Sequence, residues 1–285
     1  MDNVIQSWRR NYHTHSNFCD GANTLEEMVQ EALIKGFETL GFSGHAYTPF
    51  DTSYCMNHES FEQYCREVSR LRMAYKGQIQ ILLGLEYDCY SDEDCKQLDY
   101  RIGSVHYVLK NDKYLPVDES PEHTKATIAE FGGDPMAYAE AYFDTVAQIV
   151  EHTNCDIIGH FDLIKKFNRD GKVLIDENHP RYIAAWKKAI RALVETGKPF
   201  EINTSPLAWR TDGQCYPSDE ILREIRACNG KITISSDTHK KEHLDRGFDL
   251  ALKKVKRLGF DSLVAMSENG PVELKIVELP RDTVI

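Results

Sequence analysis

The sequence predicts an α/β fold of repeated strand–helix units, with its strands parallel in a sheet or barrel. Short apolar runs alternate with longer amphipathic ones along the chain, which is the pattern of β-α repeats. One run, Ile79-Gln80-Ile81-Leu82-Leu83-Gly84-Leu85-Glu86, is apolar almost throughout, as expected of a strand covered on both faces. Several runs end on a histidine or a carboxylate, and the parallel strands of a β/α barrel bring their C-terminal ends to one face.

The first unit opens with Tyr12-His13-Thr14-His15-Ser16-Asn17-Phe18-Cys19-Asp20-Gly21. Side chains two apart on a strand share a face, so His13 and His15 project together, with Asp20 just past the strand end. Two nitrogens and a nearby carboxylate suit Zn²⁺, Fe²⁺ or Mn²⁺. Taken alone, His-x-His is equally a strand end with two half-buried imidazoles. Asn23-Thr24-Leu25-Glu26-Glu27 then starts a helix, with a capping residue followed by acids in the first turn. Met28, Leu33 and Ile34 form its apolar stripe and Gly36 ends it. Thr39-Leu40-Gly41-Phe42-Ser43-Gly44-His45 reads as a strand delivering His45, its glycines permitting close backbone approach.

A second helix is expected over 60–76, with Phe61, Tyr64, Val68 and Leu71 on one face. The apolar strand that follows ends in Glu86, whose carboxylate needs either a cation or an arginine partner. Arg101-Ile102-Gly103-Ser104-Val105-His106-Tyr107 closes another strand on His106. Residues 108–135 are polar and contain Pro116, Pro121, Gly132 and Gly133, so they read as an inserted loop with a short helix overhanging the site. An amphipathic helix is expected over 136–152. The strand Cys155-Asp156-Ile157-Ile158-Gly159-His160-Phe161-Asp162 delivers His160, with Lys165 and Lys166 just beyond it.

A helix over 179–197 leads to the strand Pro199-Phe200-Glu201-Ile202-Asn203-Thr204, whose loop carries Arg210. Tyr216-Pro217-Ser218 begins a helix reaching about Ala227. Ile232-Thr233-Ile234-Ser235-Ser236-Asp237-Thr238-His239 mirrors the opening strand, with Asp237 and His239 again two apart and expected to face one way. A helix from about Leu244 to Leu258 stops at Gly259. The strand Ser262–Met266 follows, and the tail from Val272 to Ile285 is a candidate edge strand.

The 285 residues show no repeat, low-complexity tract or linker, so one domain spanning 1–285 is expected. Lysines and arginines number 34 against 45 acids, a net charge of −11 that repels nucleic-acid phosphates. That balance does not exclude a small anionic substrate, because a local metal cluster outweighs the mean field. Eight cysteines are scattered without a Cys-x-x-Cys, and the N-terminal MDNVIQSWRR is polar. The expectation is a reduced, cytoplasmic protein with no nucleic-acid or membrane partner. Its oligomeric state is unspecified.

Six strand-end fragments together supply His13, His15, Asp20, His45, Glu86, His106, His160, Asp237 and His239. Nine ligands exceed the needs of one or two metals and suit three divalent ions, zinc first, with iron or manganese as alternatives, one carboxylate being shared. Such a cluster lowers the pKa of bound water and neutralises a phosphate, so metal-assisted phosphoester hydrolysis is the reaction class inferred.

The fragments His13-Thr14-His15, Asp20-Gly21, Gly41–His45, Gly84-Leu85-Glu86, Ser104-Val105-His106, Gly159–Asp162 and Ser236–His239 resemble, in order, the polymerase-and-histidinol-phosphatase (PHP) family. Gly159–Phe167, Glu201–Ser205 and Tyr216-Pro217-Ser218 look like its monofunctional histidinol-phosphatases. The resemblance implies a distorted (β/α)₇ barrel, with the metal site at the C-terminal ends of the strands. It also implies hydrolysis of L-histidinol phosphate to L-histidinol and phosphate, a late step of histidine biosynthesis. Carried across, the first metal takes His13, His15, Glu86 and Asp237. The second takes Glu86, His106 and His160, and the third takes Asp20, His45 and His239. Asp20 stands where some relatives carry histidine. The expected mechanism has a metal-bound hydroxide attacking phosphorus while Lys166, Lys165 or Arg210 holds the phosphate, relatives using arginine near the lysine positions. Glu86, Asp237 and His239 are the expected catalytic groups, and the leaving alcohol is protonated by Asp237, His239 or a metal-bound water. Asp118, Glu119 and Glu122 are candidates for recognising the substrate's imidazole and amine. The alternatives are a family member acting on another small phosphomonoester or on nucleotide ends, and a non-enzymatic module with structural metals.

Overall fold

Strand–helix alternation runs through the computed structural model, which describes residues 4–5, 8–93, 97–169, 171–210 and 212–276. The strands are β1 (Val4–Ile5), β2 (Arg10–Asn11), β3 (Thr39–Phe42), β4 (Gln80–Asp88), β5 (Tyr100–Ser104), β6 (Tyr107–Lys110), β7 (Lys113–Pro116), β8 (Ile157–Ile158), β9 (Phe200–Asn203), β10 (Ile232–Ser235), β11 (Ser262–Ala265) and β12 (Val272–Ile276). The helices are α1 (Leu25–Ile34), α2 (His58–Ala74), α3 (Pro121–Glu130), α4 (Pro135–Ala147), α5 (Ile149–Thr153), α6 (Pro180–Val194), α7 (Asp219–Ala227) and α8 (Phe248–Arg257).

Seven strands pair in parallel in the order β2-β3-β4-β5-β8-β9-β10. The two ends meet through a parallel bridge between Thr14 and Thr238, where the His15 N–H donates to the Thr238 carbonyl (2.9 Å) and the Thr238 N–H to that of His13 (3.2 Å). The result is a nearly closed, distorted (β/α)₇ barrel. The closing bridge lies between His13 and His15 on one side and between Asp237 and His239 on the other, so closure itself brings together candidate ligands from opposite ends of the sequence. β1, β11 and β12 form a separate three-stranded sheet.

Capping chemistry starts the helices where the sequence indicates. Thr24 and Glu27 make a reciprocal capping box at α1, and Ser218 caps α7. Inside the barrel, Tyr100 is fully buried and donates its hydroxyl to the carbonyls of Tyr12 (2.5 Å) and Phe42 (3.1 Å). The ring fits because its neighbours are glycines: a Cβ on Gly41 or Gly84 would lie 2.5 or 2.4 Å from Tyr100 atoms. At Gly41 this is the close approach expected of that strand's glycines; Gly84 makes a second one that was not foreseen.

Several expectations need correction. Residues 107–116 form a β-hairpin, β6–β7, where a loop was expected; Asn111 and Asp112 both have positive φ (50° and 59°), as a two-residue hairpin turn requires. The short helix expected in this insertion is α3. The helix expected over 136–152 is broken at Gln148 into α4 and α5, and that expected from Leu244 starts at Phe248 after a 3₁₀ turn. The His160 strand shrinks to β8, two residues long. The tail, expected at an edge, pairs over Val272–Ile276 as the middle strand of the small sheet, between β1 and β11; its remainder, 277–285, lies outside the described residues, as do parts of the polar N-terminus and Cys95. The seven described cysteines are free thiols. Among the described residues no helix is long and apolar enough to cross a membrane.

Candidate metal centre

All nine predicted ligands converge at the C-terminal ends of the barrel strands. Glu86, 1% exposed near the end of β4, is their hub. Its Oε2 lies 3.0 Å from His13 Nε2, 3.5 Å from His15 Nε2 and 3.1 Å from His45 Nδ1. Its Oε1 lies 3.0 Å from His160 Nε2 and 3.5 Å from His106 Nε2, and accepts the Ser104 hydroxyl at 2.6 Å. The arginine partner that a buried carboxylate otherwise needs is not among these neighbours; imidazoles surround it.

A second carboxylate, Asp237, places Oδ1 3.2 Å from His15 Nε2 and 3.5 Å from His13 Nε2. Strand alternation does not align it with His239. β10 ends at Ser235, and Asp237 adopts a left-handed backbone with φ 48°, uncommon for a non-glycine residue. Asn203 donates to its Oδ2 at 3.1 Å. Asp20 faces His239 Nε2 at 3.1 Å, His15 Nδ1 at 3.4 Å and His45 Nε2 at 3.7 Å. The His15 and His239 rings stack 4.0 Å apart.

Three groupings have ligand atoms close enough to share a cation: His13, His15 and Glu86; His45, Glu86 and His106; and Asp20 with His15, His45 and His239. His45 therefore faces both Glu86 and Asp20, although the resemblance assigns it to the third metal alone. The donor set fits divalent metals on a further observation: His13 Nε2 and His15 Nε2 are buried with no hydrogen-bond partner, and both point at Glu86 and Asp237. A divalent cation held between these nitrogens and the two carboxylates would satisfy both.

The electrostatics agree. Burial pushes the Glu86 carboxyl pKa up, but His13, His45 and His106 outweigh it and hold the group well below the usual carboxylate range. Asp20 is depressed likewise by His15 and His239, and Asp237 by His13 and His15, each against the opposing effect of burial. Burial works against protonation of His13 and His15, yet their acidic neighbours raise both well above the ordinary imidazole value. His106 is raised to about 9 by Glu86 and Asp88 against burial, whereas burial takes His45 down to about 3. A cradle of ionised carboxylates interleaved with imidazoles attracts cations.

Beside the cluster opens a cavity of about 510 Å³, the size of a small-molecule site. Asp20, His45, Glu86, His106, His160, Asp237 and His239 line it, as do Tyr54, Trp209 and Tyr216. Of the predicted phosphate-binding cations, Lys166 lines this space, with Nζ 2.8 Å from Asp118 Oδ2. Lys165 does not reach it. Its ammonium is buried on Asp162 at 2.7 Å, because adjacent positions on the 3₁₀ turn point apart. Arg210 is turned toward Asp212 and donates to the Asn168 carbonyl at 3.0 Å, while its neighbour Trp209 faces the cavity. The insertion brings Asp118 and Glu119 into the lining; Glu122 is not part of it.

Sequence reasoning passed over four supporting groups. Glu201, fully buried on β9, accepts from His13 Nδ1 at 2.7 Å, and Asn203 links it to Asp237. Asp88 accepts the His106 N–H at 2.7 Å, and Ser104 binds Glu86. A carboxylate inside the apolar run Phe200-Glu201-Ile202 is the same signal that singled out Glu86 and could have found Glu201. None of the remaining histidines, His58, His123, His152, His179 and His243, is buried.

A barrel gathering so many imidazoles and carboxylates at its strand ends defines a polynuclear, metal-dependent enzyme. The chain belongs to the PHP domain family, whose model matches residues 11–205. It is 30% identical over 283 residues to a Schizosaccharomyces pombe protein named "Probable histidinol-phosphatase", covering 91% of this chain and 89% of that one. It is 29% identical over 269 residues to the histidinol-phosphatase of Bacillus subtilis, covering 86% of this chain and 99% of that one. A solved structure of histidinol phosphate phosphatase from Lactococcus lactis, complexed with zinc, L-histidinol and phosphate, aligns at a TM-score of 0.70 and 22% identity, over 93% of this chain and 98% of that one. That likeness establishes the fold.

Proposed function

We infer that this chain is a metal-dependent phosphomonoesterase that hydrolyses L-histidinol phosphate to L-histidinol and phosphate in histidine biosynthesis. The observation that carries this reading is Glu86, whose two oxygens divide five imidazoles between them at the floor of a small-molecule cavity. We assign His13, His15, Glu86 and Asp237 to one divalent metal, Glu86, His106 and His160 to a second, and Asp20, His45 and His239 to a third. Zinc suits these nitrogen and oxygen donors. Bound there, the metals supply an activated water at neutral pH and neutralise phosphate charge.

The chain's own residues do the rest. Lys166 meets the phosphate oxygens as a point charge, without arginine's bidentate fork. Asp118, now paired with Lys166, and Glu119 offer carboxylates to the cationic amine or imidazole of the substrate. Asp237 and His239 border the cavity; His239 can pass a proton to the leaving alcohol, whereas Asp237, held ionised, has none to give. The walls formed by Tyr54, Trp209 and Tyr216 supply apolar faces for the imidazole. A phosphate-release screen of the metal-loaded protein against L-histidinol phosphate, other small monoesters and oligonucleotides tests the reading. Preference for L-histidinol phosphate is expected; equal or faster turnover of another class would replace it.

A further inference from the structure

We propose that Glu201 is a positioning residue for the metal centre: through His13 Nδ1 it holds the imidazole in the one tautomer that turns a lone pair toward Glu86 and Asp237. The inference rests on the metal reading above and deepens it. Glu201 lies on β9 with no exposed surface and makes no contact with the cavity. Its Oε1 accepts from His13 Nδ1 at 2.7 Å. Its Oε2 accepts the backbone N–H of His160 at 2.9 Å and the Asn203 amide at 3.1 Å. The same Asn203 amide reaches Asp237 Oδ2 at 3.1 Å. One carboxylate thus ties together three groups that belong to two proposed metals: the ring of His13, the backbone of His160 and, through Asn203, the carboxylate of Asp237.

The chemistry of the donors sets the tautomer. A carboxylate offers only acceptors, so the proton of a neutral His13 lies on Nδ1 and Nε2 is left with its lone pair. That Nε2 is the buried, unpartnered atom 3.0 Å from Glu86 and 3.5 Å from Asp237. A carboxylate behind a metal-bound histidine also raises the basicity of the ring.

Glu201→Gln separates this role from mere packing, because the side chains have the same shape. The His160 N–H is a fixed donor, so the glutamine carbonyl oxygen turns to it and the amide NH₂ turns to His13 Nδ1. The NH₂ can only donate, so the His13 proton moves to Nε2, where it blocks the metal. The full-length chain, its Glu201→Gln variant and the corresponding pair on a His13→Ala background are loaded with zinc and titrated with a chelator, and the metal-free forms are melted. Expected are a ten- to hundredfold loss of zinc affinity in Glu201→Gln, a metal-free melting temperature close to the parent's, and no further loss when His13 is already alanine. At a pH alkaline enough to leave His13 neutral, its ¹⁵N chemical shifts in the metal-free protein should report an Nδ1–H tautomer in the parent and Nε2–H in the variant. Parent-like zinc retention, or an undiminished additional loss on the His13→Ala background, would overturn the proposal. If Glu201→Gln does not fold without metal, Glu201→Asp replaces it. One methylene shorter, it keeps the charge but cannot span both His13 and His160, so the same loss is expected and parent-like retention is again fatal. A parent that binds no zinc at all would instead remove the functional reading on which this inference stands.

Discussion

Replacing Lys166 by alanine tests how the cavity handles phosphate charge, and the structure sets the size of the effect. Lys166 and Asp118 are side by side, with 32% and 27% of their side chains exposed. Losing a charge-assisted hydrogen bond to the phosphate costs about 1.5–3 kcal/mol. Alanine also uncovers Asp118 beside an anionic substrate. At roughly 5 Å and an effective dielectric of about 40, suited to groups a third exposed, that carboxylate repels each phosphate charge by about 1.7 kcal/mol. Counting a single phosphate charge, the two effects raise the barrier behind kcat/KM by about 3–5 kcal/mol, a loss of roughly two to three and a half powers of ten. Asp118→Asn in the Lys166→Ala background, assayed on a phosphomonoester that lacks the amine and imidazole Asp118 is proposed to meet, removes the repulsion and should restore about ten- to twentyfold. The assay is steady-state phosphate release from L-histidinol phosphate by the zinc-loaded protein, with metal content checked in each variant. If Lys166→Ala stays within threefold of the parent, or if removing Asp118 makes it worse still on the simpler ester, Lys166 does not hold the phosphate.

Four further outcomes are expected. Glu86→Gln, which leaves five imidazoles facing an amide, should lose both bound metal and turnover by elemental analysis and phosphate release; retention of either at the parent level contradicts the hub role. Zinc affinity should rise with pH between 6 and 9, because His13, His15 and His106 have raised pKa values, so protons occupy their ring nitrogens at low pH and must leave before metal binds; flat chelator-competition curves across that range would rule this out. The metal at Asp20 and His239, whose side chains are 33% and 39% exposed, should leave first under dilute chelator, whereas simultaneous loss of all metals would show no such order. Gly84→Ala places a Cβ 2.4 Å from the Tyr100 ring. It should destabilise the barrel by about 1–3 kcal/mol, a drop of several degrees in melting temperature, and an unchanged Tm would mean that the ring can move aside.

The local patterns were legible because their causes are local. Thr24 and Ser218 announce helix starts through their own hydroxyls. The apolar run into Glu86 announces a buried strand whose last carboxylate must find charge. The nine candidate ligands could be collected because parallel strands end on one face, whichever strands they are. Even the hairpin at Asn111-Asp112 was within reach, its turn residues flanked by strand-forming side chains.

Tertiary structure alone decided the remainder, because it depends on which atoms meet across the barrel. Lys165 and Lys166 are indistinguishable in the sequence, yet one is buried on Asp162 and the other faces the cavity with Asp118. Asp237 reaches the cluster through a left-handed backbone that strand alternation does not foresee. Glu201 stands 188 positions from His13 and becomes its partner only when the barrel closes. Periodicity records which face a side chain occupies on its own element; closure of the ring selects its partner, and the partner sets tautomer, charge and metal.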